Sequence, residues 1–314
     1  SITAARGGDD RIVTGDGEAW VIGGEGADNI TDGNGKAVLL GDLGAVTLSG
    51  GVIVRVEATE VTTGGNDTIT TGAGDAWIVG GTGSDSIASG QGAGFILADT
   101  GLMTFDGLGR VTEIAASDDG ASGDDTVVSG DGNDWIVGGA GADVITDGDG
   151  FALIFGDLGR ALALGGVMQS VTSITAARGG DDRIVTGDGE AWVIGGEGAD
   201  RITDGNGKAV LLGDLGTITA NAKGLIRIQT TFERIGGADI ITKRNGPAFV
   251  FGGAAGDKIT MAAGDHTVSG DMGVLDFVNG VRRELRVAID TPAWGGDDTI
   301  SAGVGSNWLI GGEG

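Results

Sequence analysis

The chain of 314 residues contains 68 glycines, two prolines, one histidine and neither cysteine nor tyrosine, and its formal net charge is −26. Such a charge argues against nucleic acid or an anionic membrane as partner, and no apolar run reaches membrane-spanning length. With 40% apolar but only 4% aromatic residues, the composition favours many thin strands over one bulky core.

The first predicted elements run in ninefold steps through "GGDDRIVT", "GDGEAWVIG", "GEGADNITD", "GNGKAVLLG" and "DLG", up to Gly44. Each step alternates a glycine-rich turn with about five residues of strand, which predicts half-turns of a parallel solenoid. "AVTLSGGVIVRVEATE" (Ala45–Glu60) then reads as a β-hairpin around Ser49-Gly50-Gly51. The pattern restarts at "GGNDTI", "SGDDTV", "GGDDRI", "GGADII" and "GGDDTI", with further hairpins expected at 102–114, 160–174, 217–232 and 274–289. The unit is roughly 57 residues long, so the chain is an array rather than one core. The repeats divide as 1–60, 61–121, 122–172, 173–234, 235–293 (degenerate) and 294–314 (partial). Residues 1–44 recur at 173–216, a sign of recent duplication, and the start at Ser1 within a repeat points to a fragment of something longer.

"GGEGADNIT" (Gly23–Thr31), "GGTGSDSIA" (Gly80–Ala88) and "GGAGADVIT" (Gly138–Thr146) satisfy the nonapeptide G-G-x-G-x-D-x-U-x at every fixed position. On these residues the chain resembles the RTX family of calcium-binding β-rolls. The resemblance covers roughly two thirds of each unit. It implies an all-β parallel β-roll or β-solenoid, bound Ca²⁺, an extracellular or cell-surface location and type I secretion. A β-propeller with blades of this length is the rival architecture.

The spacing also has a physical reading of its own. Glycines let main-chain carbonyls turn toward an ion, and the Asp at step six adds the hard oxygen that Ca²⁺ prefers. The branched residue at step eight points the same way and fills the interior. Step six is Asp in the first and third half-turns, giving the candidate metal ligands Asp10, Asp28, Asp67, Asp85, Asp125, Asp143, Asp182, Asp200, Asp239, Asp257 and Asp298. The "GDLG" and "GDMG" steps add Asp42, Asp157, Asp214 and Asp271 on the same edge, with Asp99 of "ADTG" as a substitute. In the second and fourth half-turns step six is mostly Ala (Ala19, Ala37, Ala76, Ala152, Ala191, Ala209), Asp134 being the exception, so that edge is expected to be metal-poor.

Steps seven to nine of those same half-turns are wholly apolar, as in Trp20-Val21-Ile22, Trp77-Ile78-Val79 and Leu153-Ile154-Phe155. Continuous apolar strands belong to a sheet covered on both faces. Either the hairpins fold over it, or a neighbouring chain does so in a self-associated filament. In unit five, Lys243, Arg244 and Pro247 replace glycine and acidic residues, and the lone His266 reads as a surface strand residue. Catalysis finds no support, because the carboxylates recur with the repeat rather than forming one special pair. The resulting expectation is a calcium-stabilised structural array of a secreted bacterial surface protein, such as an adhesin stalk, spacer or filament subunit. The alternatives are the secretion-assisting tail of an extracellular enzyme, or an ice- or carbohydrate-binding surface. No nucleic acid or membrane insertion is expected.

Overall fold

Two long parallel sheets and one antiparallel sheet stack as three layers in the computed structural model, which describes residues 7–59, 62–117, 122–174, 178–231, 235–287 and 295–312. No helix occurs among the described residues. The first and third half-turns supply an outer sheet of eleven strands, from Arg11–Val13 through Asn29–Thr31 to Thr299–Ala302. The second and fourth supply a middle sheet of eleven strands, from Ala19–Ile22 through Ala37–Leu40 to Trp308–Ile310. Every pairing within both sheets is parallel between consecutive coils, for example Ile30 opposite Ile69 and Leu39 opposite Ile78. The sheets run uninterrupted from end to end, which makes the molecule a β-roll rather than a propeller.

The step-eight side chains meet inside the roll. Ile30, Ile69, Ile87, Ile145, Ile184, Ile202, Ile241 and Ile259 from the outer sheet pack against Leu39, Ile78, Ile96, Ile136, Ile154 and Leu211 from the middle one. β-branched residues suit this interior because their restricted rotamers stack in register on a pleated surface. The opposite face of the outer sheet carries exposed residues such as Arg11, Asn29, Thr68, Arg183 and Lys258.

The hairpins form the third layer, a ten-stranded antiparallel sheet. Gly44–Ser49 pairs with Val52–Ala58, Gly101–Phe105 with Val111–Ala116, and Gly159–Leu164 with Val167–Ser173. Gly216–Asn221 pairs with Gly224–Thr230, and Gly273–Val278 with Val281–Val287. Successive hairpins pair with each other as well, so the layer is continuous. The hairpin ends expected at Glu60, Phe232 and residues 288–289 lie outside the described residues.

This layer settles what lies over the apolar strands. Val38, Leu40, Trp77, Val79, Leu97, Val137, Phe155 and Trp192 project away from the roll interior and pack on Val56, Met103, Ile114, Ala161, Val171, Ile218, Ile228 and Leu275 of the hairpins. Trp77 stacks on Phe105 with ring centroids 4.0 Å apart. The chain therefore covers its own tryptophan face along its length. Among the described residues only the terminal strands leave such rings open, with Trp20 45% and Trp308 46% exposed against 4% for Trp77.

Candidate metal centre

The step-six aspartates line one edge of the roll in a single column. The Asp10 amide donates to Asp28 Oδ1 at 2.7 Å, Asp28 to Asp67 at 2.7 Å and Asp67 to Asp85 at 2.8 Å. The series continues through Asp125, Asp143, Asp182, Asp200, Asp239 and Asp257 to Asp298 without a break. Each Oδ1 is thus spent on the preceding coil's amide. Each Oδ2 of the column from Asp28 to Asp298 is buried with no hydrogen-bond partner.

Those free oxygens share a common setting. The Asp28 Oδ2 and the Gly41 carbonyl oxygen both lie where a Cβ on Gly23 would stand. The same trio recurs as Asp67, Gly80 and Gly41, as Asp143, Gly156 and Gly138, as Asp200, Gly213 and Gly195, and as Asp257, Gly270 and Gly252. At these five glycines a Cβ would overlap both oxygens, so the bare Cα leaves a cradle walled by a carboxylate and a main-chain carbonyl. At the coil facing Asp125 the corresponding step is Ala98, which places a methyl group in the row.

The "GDxG" aspartates form a parallel row on the same edge. Asp42 Oδ2 accepts from the amide of Thr82 at 2.5 Å, Asp99 Oδ2 from that of Ala140 at 2.7 Å, and Asp214 Oδ1 from that of Gly237 at 3.1 Å. Their oxygens press on Gly81, Gly139, Gly196, Gly253 and Gly312, all with φ between 108° and 133°. A residue with a side chain resists that backbone region. Asp157 and Asp271 occupy the matching places against Gly196 and Gly312.

Burial makes this edge electrostatically unbalanced. It pushes the carboxyl of Asp67 up to about 8, Asp85 and Asp239 to about 9, Asp125 to about 10 and Asp182 to about 11, with neighbouring aspartates adding to the rise. A buried carboxylate needs a compensating positive partner or a proton. No lysine or arginine forms a described ion pair with any of these aspartates.

Other carboxylates of the turns behave differently. Asp9, Asp124 and Asp181 accept from the amides of Ala27, Ala142 and Ala199, and they are exposed. On the other edge Asp16, Asp131 and Asp188 do the same for Asn34, Asp149 and Asn206. These are coil-to-coil clamps already wetted by solvent, each joining residues 18 apart in sequence. Only the step-six and "GDxG" rows combine burial with an oxygen facing a glycine cradle.

The donor set fits calcium. All its atoms are hard oxygens, carboxylate and carbonyl, the type that Ca²⁺ takes in sets of six to eight. Among the described residues no three acidic or His side chains converge on one point. An ion here would be held by one or two carboxylates and by main-chain oxygens from successive coils.

The second edge differs from expectation. Step six there is Ala, as read from the sequence, but step one carries buried acids that the sequence reading overlooked: Asp32, Asp147 and Asp204. Nonapeptide matching assigns step one to glycine, so scoring only step six hides them. Asp32 Oδ1 accepts from Thr14 Oγ1, Asp147 Oδ1 from Ser129 Oγ, and Asp204 Oδ1 from Thr186 Oγ1 at 2.5 Å. His266 is also corrected. It is a step-six residue in register with Ala248, buried within the second edge rather than on the surface, and its Nε2–H donates to the Ala262 carbonyl at 3.1 Å. Burial lowers its basicity. Its ring lies where most other coils place an alanine methyl, and it is fully buried.

Fold and edge together define a calcium-type β-roll with glycine cradles. Consistent with this, four segments, residues 61–96, 119–151, 185–217 and 295–314, match the family described as the RTX calcium-binding nonapeptide repeat. No curated protein and no solved structure matches the chain.

Proposed function

We propose that this chain is a calcium-stabilised structural array of a secreted bacterial surface protein, serving as an adhesin stalk, spacer or filament subunit and exported by type I secretion. One observation carries the reading: a column of buried aspartates whose second oxygens have no partner and face glycine cradles. Repetition of equivalent sites along a rod suits a structural role rather than catalysis.

Asp28, Asp67, Asp85, Asp143, Asp182, Asp200, Asp239, Asp257 and Asp298 would hold the ions through Oδ2, together with carbonyls such as those of Gly41, Gly80 and Gly156. Calcium, when bound, supplies the positive charge that lets these carboxylates stay ionised inside the fold. The aspartates themselves fix coil spacing through Oδ1, and the glycines keep main-chain oxygens within reach. Without the ion, the unpaired charges repel and favour an extended chain. A ligand that binds only the folded form stabilises it by mass action.

Circular dichroism during calcium titration tests the reading. Strand signal should appear with calcium and vanish on exhaustive chelation; an unchanged strand spectrum in chelator overturns the ion-coupled model. Light scattering then separates spacer from filament, a strictly monomeric rod removing the filament option. The same ion-coupled folding would serve the tail of an extracellular enzyme.

A polar binding surface on the outer sheet is the second reading. Thr31 and Thr70 stand side by side in one rank, which continues to Thr146, Thr203, Thr242 and Thr260. Ala88, Val128 and Val185 interrupt it. Glycan-array binding lost on Thr70→Val would favour that surface.

A further inference from the structure

The water-facing side of the outer sheet is free of acids in a chain that holds 45 of them. Steps seven and nine supply its two outward rows, one residue of each per strand, and neither row contains Asp or Glu. In units four and five the step-seven row turns basic. Arg183 stands directly opposite Arg201, and Lys258 follows two strands further on, past Ile240. All three are exposed, and none takes part in a described ion pair. The hairpin layer differs, since its Arg160, Arg227 and Arg286 are each paired with a carboxylate. Like charges opposite each other on strands about 4.8 Å apart are destabilising. Nothing in the chain offsets that cost at Arg183 and Arg201.

The internal duplication isolates this pair. Residues 1–44 and 173–216 differ in one letter, Asn29 against Arg201. In unit one Arg11 has the neutral Asn29 opposite it, whereas in unit four Arg183 has a second guanidinium. The single change therefore falls on an exposed, outward place, and it leaves the aspartate column, the glycine cradles and the isoleucine interior as they were. Beside the cations, Thr203, Thr242 and Thr260 stand in register along the step-nine row.

We propose that the outer sheet of units four and five binds an acidic polysaccharide laid along the rod, with its sulfate or carboxylate groups taken by Arg183, Arg201 and Lys258 and its hydroxyls by the threonine rank. This names the ligand class of the polar binding surface described above and rests on that reading. A guanidinium presents a planar fork that matches the two oxygens of such an anion, and a charge-assisted bond of this kind is stronger than a neutral one. The bound anion would also relieve the repulsion between the two arginines. A nucleic acid fits less well: the net charge of −26 repels so dense a polyanion, and neither outward row carries an aromatic ring on which bases could stack. A hydroxyl-rich polymer with widely spaced charges meets both the cations and the threonines.

Binding of the full chain in calcium is measured against dextran sulfate, carboxymethyl dextran and plain dextran, three polymers on one backbone. The wild type should bind at least one of the acidic polymers more tightly than dextran, and more weakly as salt rises. The two acidic arms tell sulfate from carboxylate. Arg201→Asn installs the letter that unit one carries in the same setting, so the fold accommodates it, and circular dichroism in calcium checks this. It should weaken binding about tenfold, the scale of one hydrogen bond to a charged group. Asn29→Arg should strengthen binding by creating the same pair beside Arg11. Equal affinity of wild type and Arg201→Asn overturns the inference, because bridging by calcium alone would not depend on that arginine. Equal binding to all three polymers overturns the acidic class and leaves the polar surface standing. Absence of binding to all three by a folded chain also overturns the inference, and the glycan array then judges the polar surface separately. Single-stranded DNA bound as tightly as the acidic dextrans would overturn the assignment to a polysaccharide.

Discussion

Asp28 and Asp67 are 39 residues apart in sequence yet neighbours in space, the amide of one donating to the carboxylate of the other at 2.7 Å. The next link, Asp67 to Asp85, spans only 18 residues. The acidic column is indifferent to this alternation because each hairpin is extruded from the same edge and returned to it. The roll is therefore continuous, and the hairpins are excursions that do not disturb the spacing of the aspartates.

The glycine cradles can be tested by filling one. Gly195→Ala would drive a methyl group against Asp200 Oδ2 and the Gly213 carbonyl, whereas a Cβ at Gly15 meets nothing within 4 Å. Overpacking of this kind costs about 1–3 kcal/mol. Gly195→Ala should lower the melting temperature in calcium and raise the calcium concentration needed for folding. Gly15→Ala should leave both within error.

Charge removal should change sign with the ion. Asp200→Asn keeps an oxygen for the Asp182 amide but deletes a negative charge from the column. In calcium the variant loses a ligand and should be less stable. In chelator it relieves repulsion with Asp239 and Asp157, both of which raise its carboxyl after burial itself. Paired melts with and without chelator should therefore cross. Destabilisation under both conditions would contradict a ligand role.

The metal-free chain should be stabilised by acid. Unfolded aspartates titrate near ~3.9, whereas burial lifts Asp67 and Asp257 to about 8, Asp85 to about 9 and Asp125 to about 10. Between these limits the folded state holds protons that the unfolded state has released, so stability falls as pH rises. Below the unfolded values the two states bind equally and the penalty disappears. Strand content in chelator should accordingly grow as pH drops from 8 to 5 on a circular dichroism scan. In saturating calcium the same scan should be flat or reversed, since protons then compete with the ion.

The two hydrophobic layers predict a third contrast. Ile154, fully buried in the roll interior, should cost about 2–5 kcal/mol when changed to alanine. Val278, 54% exposed near a hairpin tip, should change stability by no more than about 0.5 kcal/mol. Chemical denaturation in calcium measures both. A small effect at Ile154 would mean that the ions, not the isoleucine stack, hold the sheets together.

Most of the roll is visible in the letters because its period is short and its punctuation is glycine. Counting nine from Gly23 assigns Ile30 to the interior and Asp28 to the edge, and the apolar run at Trp77-Ile78-Val79 announces a sheet covered twice. What covered it was open at the level of sequence, since a hairpin such as Gly44–Ala58 can serve its own roll or a neighbour's; burial of Val56 and Trp77 together answers that. The second edge was misread for a different reason. Asp32, Asp147 and Lys243 occupy a step that the nonapeptide reserves for glycine, so their chemistry looks like decay of the motif. His266 was lost for another reason: it stands at step six, and counting forward from Lys258 gives it the place that Ala248 holds one coil earlier, which is indoors. Pattern matching finds residues that obey a rule, and here some of the chemistry sits where the rule is broken.

The strand counts have a geometric corollary. Each unit adds two strands to the outer sheet, two to the middle sheet and, through one hairpin, two to the covering sheet. Adjacent strands lie about 4.8 Å apart in any sheet, so all three layers advance together by roughly 9.6 Å per unit. The layers are commensurate, and no shear accumulates however many units are joined. Length in such a rod is quantised at close to a nanometre, and a unit inserted without its hairpin would open a gap two strands wide over bare tryptophan.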